Sequence, residues 1–255
     1  MKTTIRRILA LTAVCAMLLS SSCIPLLPKR NSVTPPDTDP ASSAAVSSEY
    51  VQGHRFDPDD CKVNGIQPGM TLEEVKGFLG TPDYEYTVPA SELFDEYIGL
   101  EYPGLTLSFD AENNNEYRLS HLYLREDNVS LPNGLHVGST LYEAVNAFDN
   151  PKGITFKEDG KFLEKELYVY KGSELIPGIF NSEWPDEPVQ MGYCFDSAGG
   201  MAPLMYVYCD PPVWNADRTE YSLTTYELFF RTNPGEDKII QIDIVKRTET
   251  LREGE

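Results

Sequence analysis

Basic residues are scarce in this chain. Lys and Arg together number 21 against 40 Asp and Glu, with 3 His, for a formal net charge of −19. A surface that negative repels phosphate backbones, which argues against nucleic acid as a partner, and it repels anionic lipid headgroups equally. Solubility is the simplest use of such charge. Cysteine is sparse as well, at five residues: Cys15, Cys23, Cys61, Cys194 and Cys209. The last three are separated by 132 and 14 residues, spacings that fit no zinc motif, so no metal and no cofactor is expected. No G-x-S-x-G, H-E-x-x-H, C-x-x-C or phosphate-cradling glycine loop occurs. Long apolar runs are also missing. Ile8–Leu19 spans 12 residues, well short of the ~20 that cross a bilayer as a helix.

That short run has its own meaning. Lys2, Arg6 and Arg7 precede it, and Leu19-Ser-Ser-Ser-Cys23 follows, which is the build of a signal peptide over 1–22. Small residues directly before a cysteine resemble the bacterial lipobox. Its implication is lipidation of Cys23 (palmitate among the chains) and a mature chain anchored to a membrane in the cell envelope, outside the cytoplasm. Ser20 departs from the usual lipobox leucine, and ordinary secretion with cleavage near Ser22 is the alternative. Removing residues 1–22, which hold three basic and no acidic side chains, moves the formal net charge from −19 to −22. Residues 23–50 carry Pro25, Pro28, Pro35, Pro36 and Pro40 among many Ser, Thr and Ala. Such a segment buries too little apolar surface to offset its ordering entropy, and is read as a disordered tether. It would reach about 30 Å as a random coil.

The next feature is an echo. Asn64–Asp83 aligns without a gap on Asn133–Lys152, with seven of 20 positions identical. The kept residues include Gly65/Gly134, Gly69/Gly138, Thr71/Thr140 and Glu74/Glu143. Thr-x-x-Glu is a capping box, in which the Thr hydroxyl accepts from the N3 amide and the Glu reaches back to the N-cap amide. Each box opens an apolar stripe at helical spacing: Leu72, Val75, Phe78 and Leu79 in one, Leu141, Ala144, Val145 and Phe148 in the other. Gly80 suits a left-handed C-cap, and Pro82 and Pro151 oppose further helix. These residues are therefore read as a structural repeat motif. The domain plan is repeat 1 over 51–132 and repeat 2, with an inserted hairpin region, over 133–255.

Period-two runs follow each predicted helix. Leu105, Leu107 and Phe109, then Leu122 and Leu124, read as a hairpin around the turn-rich 110–116, after a strand at Tyr97–Tyr102. The acidic spacing of 110–121 lacks the glycine and the final glutamate of a calcium loop, so a plain turn is favoured. Leu167–Tyr170, Met191–Phe195 and Leu204–Cys209 precede a late hairpin, Glu227–Phe230 with Ile239–Val245, in which Ile240, Ile242 and Ile244 are expected inward. The resulting fold class is α+β: two tandem helix-then-antiparallel-strand repeats, with helices packed on one face of an antiparallel sheet.

A tandem G-x-x-x-G-x-T-x-x-E unit followed by antiparallel strands resembles the β-lactamase inhibitor protein family and the small lipoprotein family of the outer-membrane assembly machinery. The specific part of this resemblance is the pair of 20-residue segments, and no target-contacting side chain carries over. It implies non-catalytic protein binding, by analogy alone.

One residue pattern points the same way. Tyr168 and Tyr170 share one face of their strand, as do Tyr206 and Tyr208. If helices cover the opposite Met205/Val207/Cys209 side, these four tyrosines form a candidate partner-binding face, because tyrosine buries much area while keeping a polar tip. The alternative is that the rings fill cross-strand pairs. The function expected is thus a lipid-anchored, extracytoplasmic protein-binding module and no enzyme. An envelope glycan hydrolase is the alternative, using Glu164/Glu166, Asp59/Asp60 or Glu183/Asp186/Glu187. A purely structural lipoprotein is a third. A cysteine nucleophile, Cys194 or Cys209 with His121 or His136, has no supporting spacing.

Overall fold

The computed structural model describes residues 54–91, 95–111, 116–149, 165–172, 174–175, 187–194, 204–233 and 236–252. The signal peptide, Cys23, the tether, Pro151, Glu164, Glu183 and Asp186 lie outside them. The described chain holds two helices, α1 (Leu72–Leu79) and α2 (Leu141–Ala147), and a single 3-10 turn, Pro58–Cys61. Its strands are β1 (Tyr84–Val88), β2 (Tyr97–Tyr102), β3 (Leu105–Ala111), β4 (Tyr117–Leu124), β5 (Lys165–Lys171), β6 (Glu174–Leu175), β7 (Val189–Cys194), β8 (Leu204–Cys209), β9 (Val213–Trp214), β10 (Glu220–Thr232) and β11 (Ile239–Arg252).

These strands make one 11-stranded sheet in the order β1-β2-β3-β4-β11-β10-β8-β7-β5-β6, with β9 beside β10. Every strand pairing is antiparallel. The expected α+β class is corrected accordingly: the protein is mostly antiparallel β-sheet with two short helices. The physical reason is reach. Helices of 8 and 7 residues are each about 12 Å long at 1.5 Å per residue. Ten strands side by side are over 40 Å across at ~4.8 Å spacing. Two such helices cannot form a layer over that sheet. The core is closed mainly by irregular chain, including Phe56, Val63, Ile66, Val129, Leu131 and Leu135, with Val75 and Ala144 contributed by the helices.

The two 20-residue segments occupy matching backbone settings. Both caps form in full: Glu74 N–H donates to Thr71 Oγ1 at 3.3 Å and Glu143 N–H to Thr140 Oγ1 at 3.2 Å. The Glu carboxylates accept the N-cap amides in return, at 2.8 and 2.7 Å. Just before each cap a glycine with positive φ (Gly69 at 95°, Gly138 at 100°) turns the chain against a sheet strand. Gly69 N–H donates to the Leu119 carbonyl at 2.7 Å, and Gly138 N–H donates to the Ile239 carbonyl at 2.8 Å. Gly65 and Gly134 likewise take φ of 84° and 85° in the preceding turns.

The correspondence continues into the strands. The β3–β4 register slips between Ser108 and Phe109, where Ser120 is the extra residue. The β10–β11 register slips between Arg231 and Thr232, where Ile240 is extra. Each bulge lies one residue after the one bonded to a glycine turn. β4 and β11 then pair with each other, Leu124 opposite Ile242 and Leu122 opposite Ile244, so Tyr123 faces Asp243 at the centre of the seam. The residues of 51–132 and 133–255 therefore build one continuous sheet across this seam.

Local expectations changed in three places. Phe78 is 63% exposed rather than part of a buried stripe, and its ring lies against Gly65. Gly80 ends α1 at φ 80°, ψ −155°, which is outside the left-handed helical region. Ile240 is 40% exposed because the bulge rotates it out of phase with Ile242 and Ile244.

Candidate functional site

Alternation along each strand divides the sheet into two faces. One row across the core face reads Leu100, Leu107, Leu122, Ile244, Leu228, Tyr206, Gly192, Tyr168, each residue directly opposite the next. Tyr206 and Tyr168 are fully buried there. A Cβ on Gly192 would meet their rings at 3.0 and 3.1 Å, so the glycine makes room for both. The Tyr206 ring centroid is 4.3 Å from that of Phe148, and its hydroxyl donates to the Ala144 carbonyl of α2 at 3.3 Å. The Tyr168 hydroxyl accepts from Phe56 N–H at 3.2 Å. Tyr170 donates to Asp149 at 2.6 Å, beneath the Arg55 guanidinium at 4.5 Å from its ring centroid. Tyr208 is half-buried against Tyr226.

The four tyrosines do share one side, as the alternation predicts. It is the core side, and the expected tyrosine binding face is corrected to a core cluster. Alternation separates the two faces of a strand without saying which is buried. Large rings filled the volume under short helices, and the Met205/Val207/Cys209 side became the second face.

That second face grades from polar to apolar. One row runs Glu101, Thr106, Tyr123, Asp243, Phe229, Met205, Tyr193, and its neighbour runs Gly99, Ser108, His121, Val245, Glu227, Val207, Met191. At the seam Arg231 is hydrogen-bonded to Asp243, which Gln241 also reaches at 2.5 Å. Asp243 is 1% exposed. Burial raises its carboxyl, and Arg231 opposes that rise. Arg247 Nε lies 3.8 Å from Glu227, whose acid is raised by burial, partly offset by Arg247 and reinforced by Glu249. Burial pulls His121 down to about 4 against the opposing pull of Asp110, 3.9 Å away. Burial also pushes Tyr123 up to about 12. Beyond this strip, Val189, Met205, Val207 and Cys209 form a separate apolar cluster with Met191, Tyr193 and Phe229. No described helix lies on this side.

The carboxylate pairs do not converge. Asp60 accepts from His54 at 2.8 Å, whereas Asp59 pairs outward with Lys62 at 2.8 Å. Cys61, Cys194 and Cys209 are buried free thiols, and burial pushes Cys209 up to about 12, far from a thiolate. His121 bonds Ser120 and His136 bonds the Gly134 carbonyl, each at 2.9 Å. Among the described residues no group of three or more His, Cys, Asp and Glu could hold a metal ion. None of the described helices is long and apolar enough to cross a membrane.

Sequence reasoning missed Glu227, Phe229 and Arg247 as a group. A usable signal existed: Glu227 and Arg247 are opposite charges on adjacent strands of a predicted hairpin, in phase with the outward Asp243. Comparisons with protein-family models, curated proteins and solved structures find no match to this chain.

Proposed function

We propose that this chain is a non-catalytic protein-binding module, held outside the cytoplasm by lipid on Cys23, whose binding surface is the second face of the sheet. The observation that carries this reading is that face itself. Methionine, tyrosine and phenylalanine are gathered beside arginine–carboxylate pairs, the composition of an interface core. Tyr168 and Tyr206, the earlier candidates, belong to the core and take no part.

The test places a photo-crosslinking amino acid at Met191 or Phe229 in the full chain within intact envelopes. The same defined adduct is expected from both positions and none from Tyr142, which is exposed elsewhere at 58%. Equal labelling from Tyr142, or no adduct from either face position, refutes the surface assignment. For the anchor, Cys23→Ser should abolish palmitate incorporation and move the protein out of the membrane pellet. A variant that stays membrane-bound removes the lipid from the account.

A further inference from the structure

Glu227 stands out on the second face. It is 6% exposed, flanked by Val245 and Val207 on the neighbouring strands, with Phe229 two residues along the same strand. Its charged company is Arg247 at 3.8 Å, beyond hydrogen-bond distance. Arg247 Nε is itself buried and without a hydrogen-bond partner. Glu249 acts on the same carboxylate. Two carboxylates thus share one guanidinium, and the patch is one positive charge short. A nearly buried carboxylate that accepts no hydrogen bond from any described residue is costly unless something supplies a donor.

We infer that Glu227 is the seat for a lysine or arginine side chain of the protein partner, its aliphatic stem lying on Val207 and Phe229 and its charged end completing the Glu227/Arg247/Glu249 group. This rests on the binding reading above. The surroundings fit both ends of such a side chain. Long basic residues bury their methylenes on apolar surface while the head stays polar, and an aromatic face adds attraction for a cation. The chain's net charge of −19 favours approach of a basic partner.

The test uses side-chain mimics: n-butylammonium, n-butylguanidinium and neutral n-butanol. Each is titrated into the full chain in nanodiscs while the Val207 and Met205 methyl resonances are followed. At least one cation should shift them saturably and butanol should not. Glu227→Gln should weaken the response roughly tenfold or more, the loss of a charge-assisted hydrogen bond. Glu249→Gln, which restores charge balance without touching the seat, should weaken it less. Equal shifts with butanol, an undiminished response in Glu227→Gln, or no response overturns the inference. If the photo-crosslinks form while the mimics fail, the basic seat falls and the binding surface stands. The reverse pattern removes the binding surface.

Discussion

Tyr206 separates a core role from a surface role within one residue. Its ring is fully buried and lies 6.2 Å from those of Phe56, Tyr168 and Phe230, with Phe148 nearer still at 4.3 Å. Tyr206→Ala removes that ring from a site walled by rigid aromatics, so the cavity cannot collapse fully. A loss of about 4 kcal/mol is expected, in line with other large aromatic truncations. With a urea m-value of about 2 kcal/mol/M, the unfolding midpoint should fall by about 2 M. Tyr206→Phe keeps the ring and loses a hydrogen bond that is already long at 3.3 Å, so about 1 kcal/mol or less is expected. Tyr84→Ala, at a position 69% exposed, should stay within about 0.5 kcal/mol of the parent. Circular dichroism through a urea titration reads all three. A Tyr206→Ala midpoint equal to that of Tyr84→Ala would refute the placement of this ring in the core.

Asp243→Ala should cost about 3 kcal/mol in the same assay, because Arg231, with a side chain only 13% exposed, loses its buried partner; a neutral result would mean the pair is solvated. For His121, the folded-state value of about 4 lies below the ordinary 6.5, so only the unfolded chain binds this proton between those values. Stability should therefore fall as pH drops from about 6.5 to about 4, by at most about 3 kcal/mol relative to His121→Gln. The 23% exposure of the ring reduces that figure. The raised acids Asp243 and Glu227 act in the opposite sense in both proteins and cancel in the comparison; parallel pH profiles would refute the burial of a neutral imidazole. Thr71→Ala and Thr140→Ala should each cost about 1 kcal/mol and add within about 0.5 kcal/mol when combined, as read by thermal unfolding.

The parts legible in the sequence were those fixed by local physics. Thr71/Glu74 and Thr140/Glu143 needed only their own neighbours to form caps, and Leu105–Phe109 displayed its alternation openly. The balance of helix against sheet was hidden, because it depends on how far each stripe is buried. Of the first stripe only Val75 is buried, and loops supply most of the cover. The matching of β4 and β11 was equally hidden: across Tyr117–Leu124 and 237–244 no aligned residue is identical. What the two strands share is a bulge and a pairing partner, neither written as a motif. The second face was missed for a plainer reason. Strand alternation is symmetric, and only tertiary packing decides which of Tyr206 and Met205 meets the core.

The seam between β4 and β11 has a consequence for assembly. Sliding one strand past the other by a single residue would turn the carboxylate of Asp243 in among Leu122, Leu124 and Phe230, with its arginine left behind on the far side. No hydrocarbon neighbour there could accept it. One acidic side chain at the midline thus checks the alignment of the two halves, and misaligned chains would be rejected during folding before any partner is met.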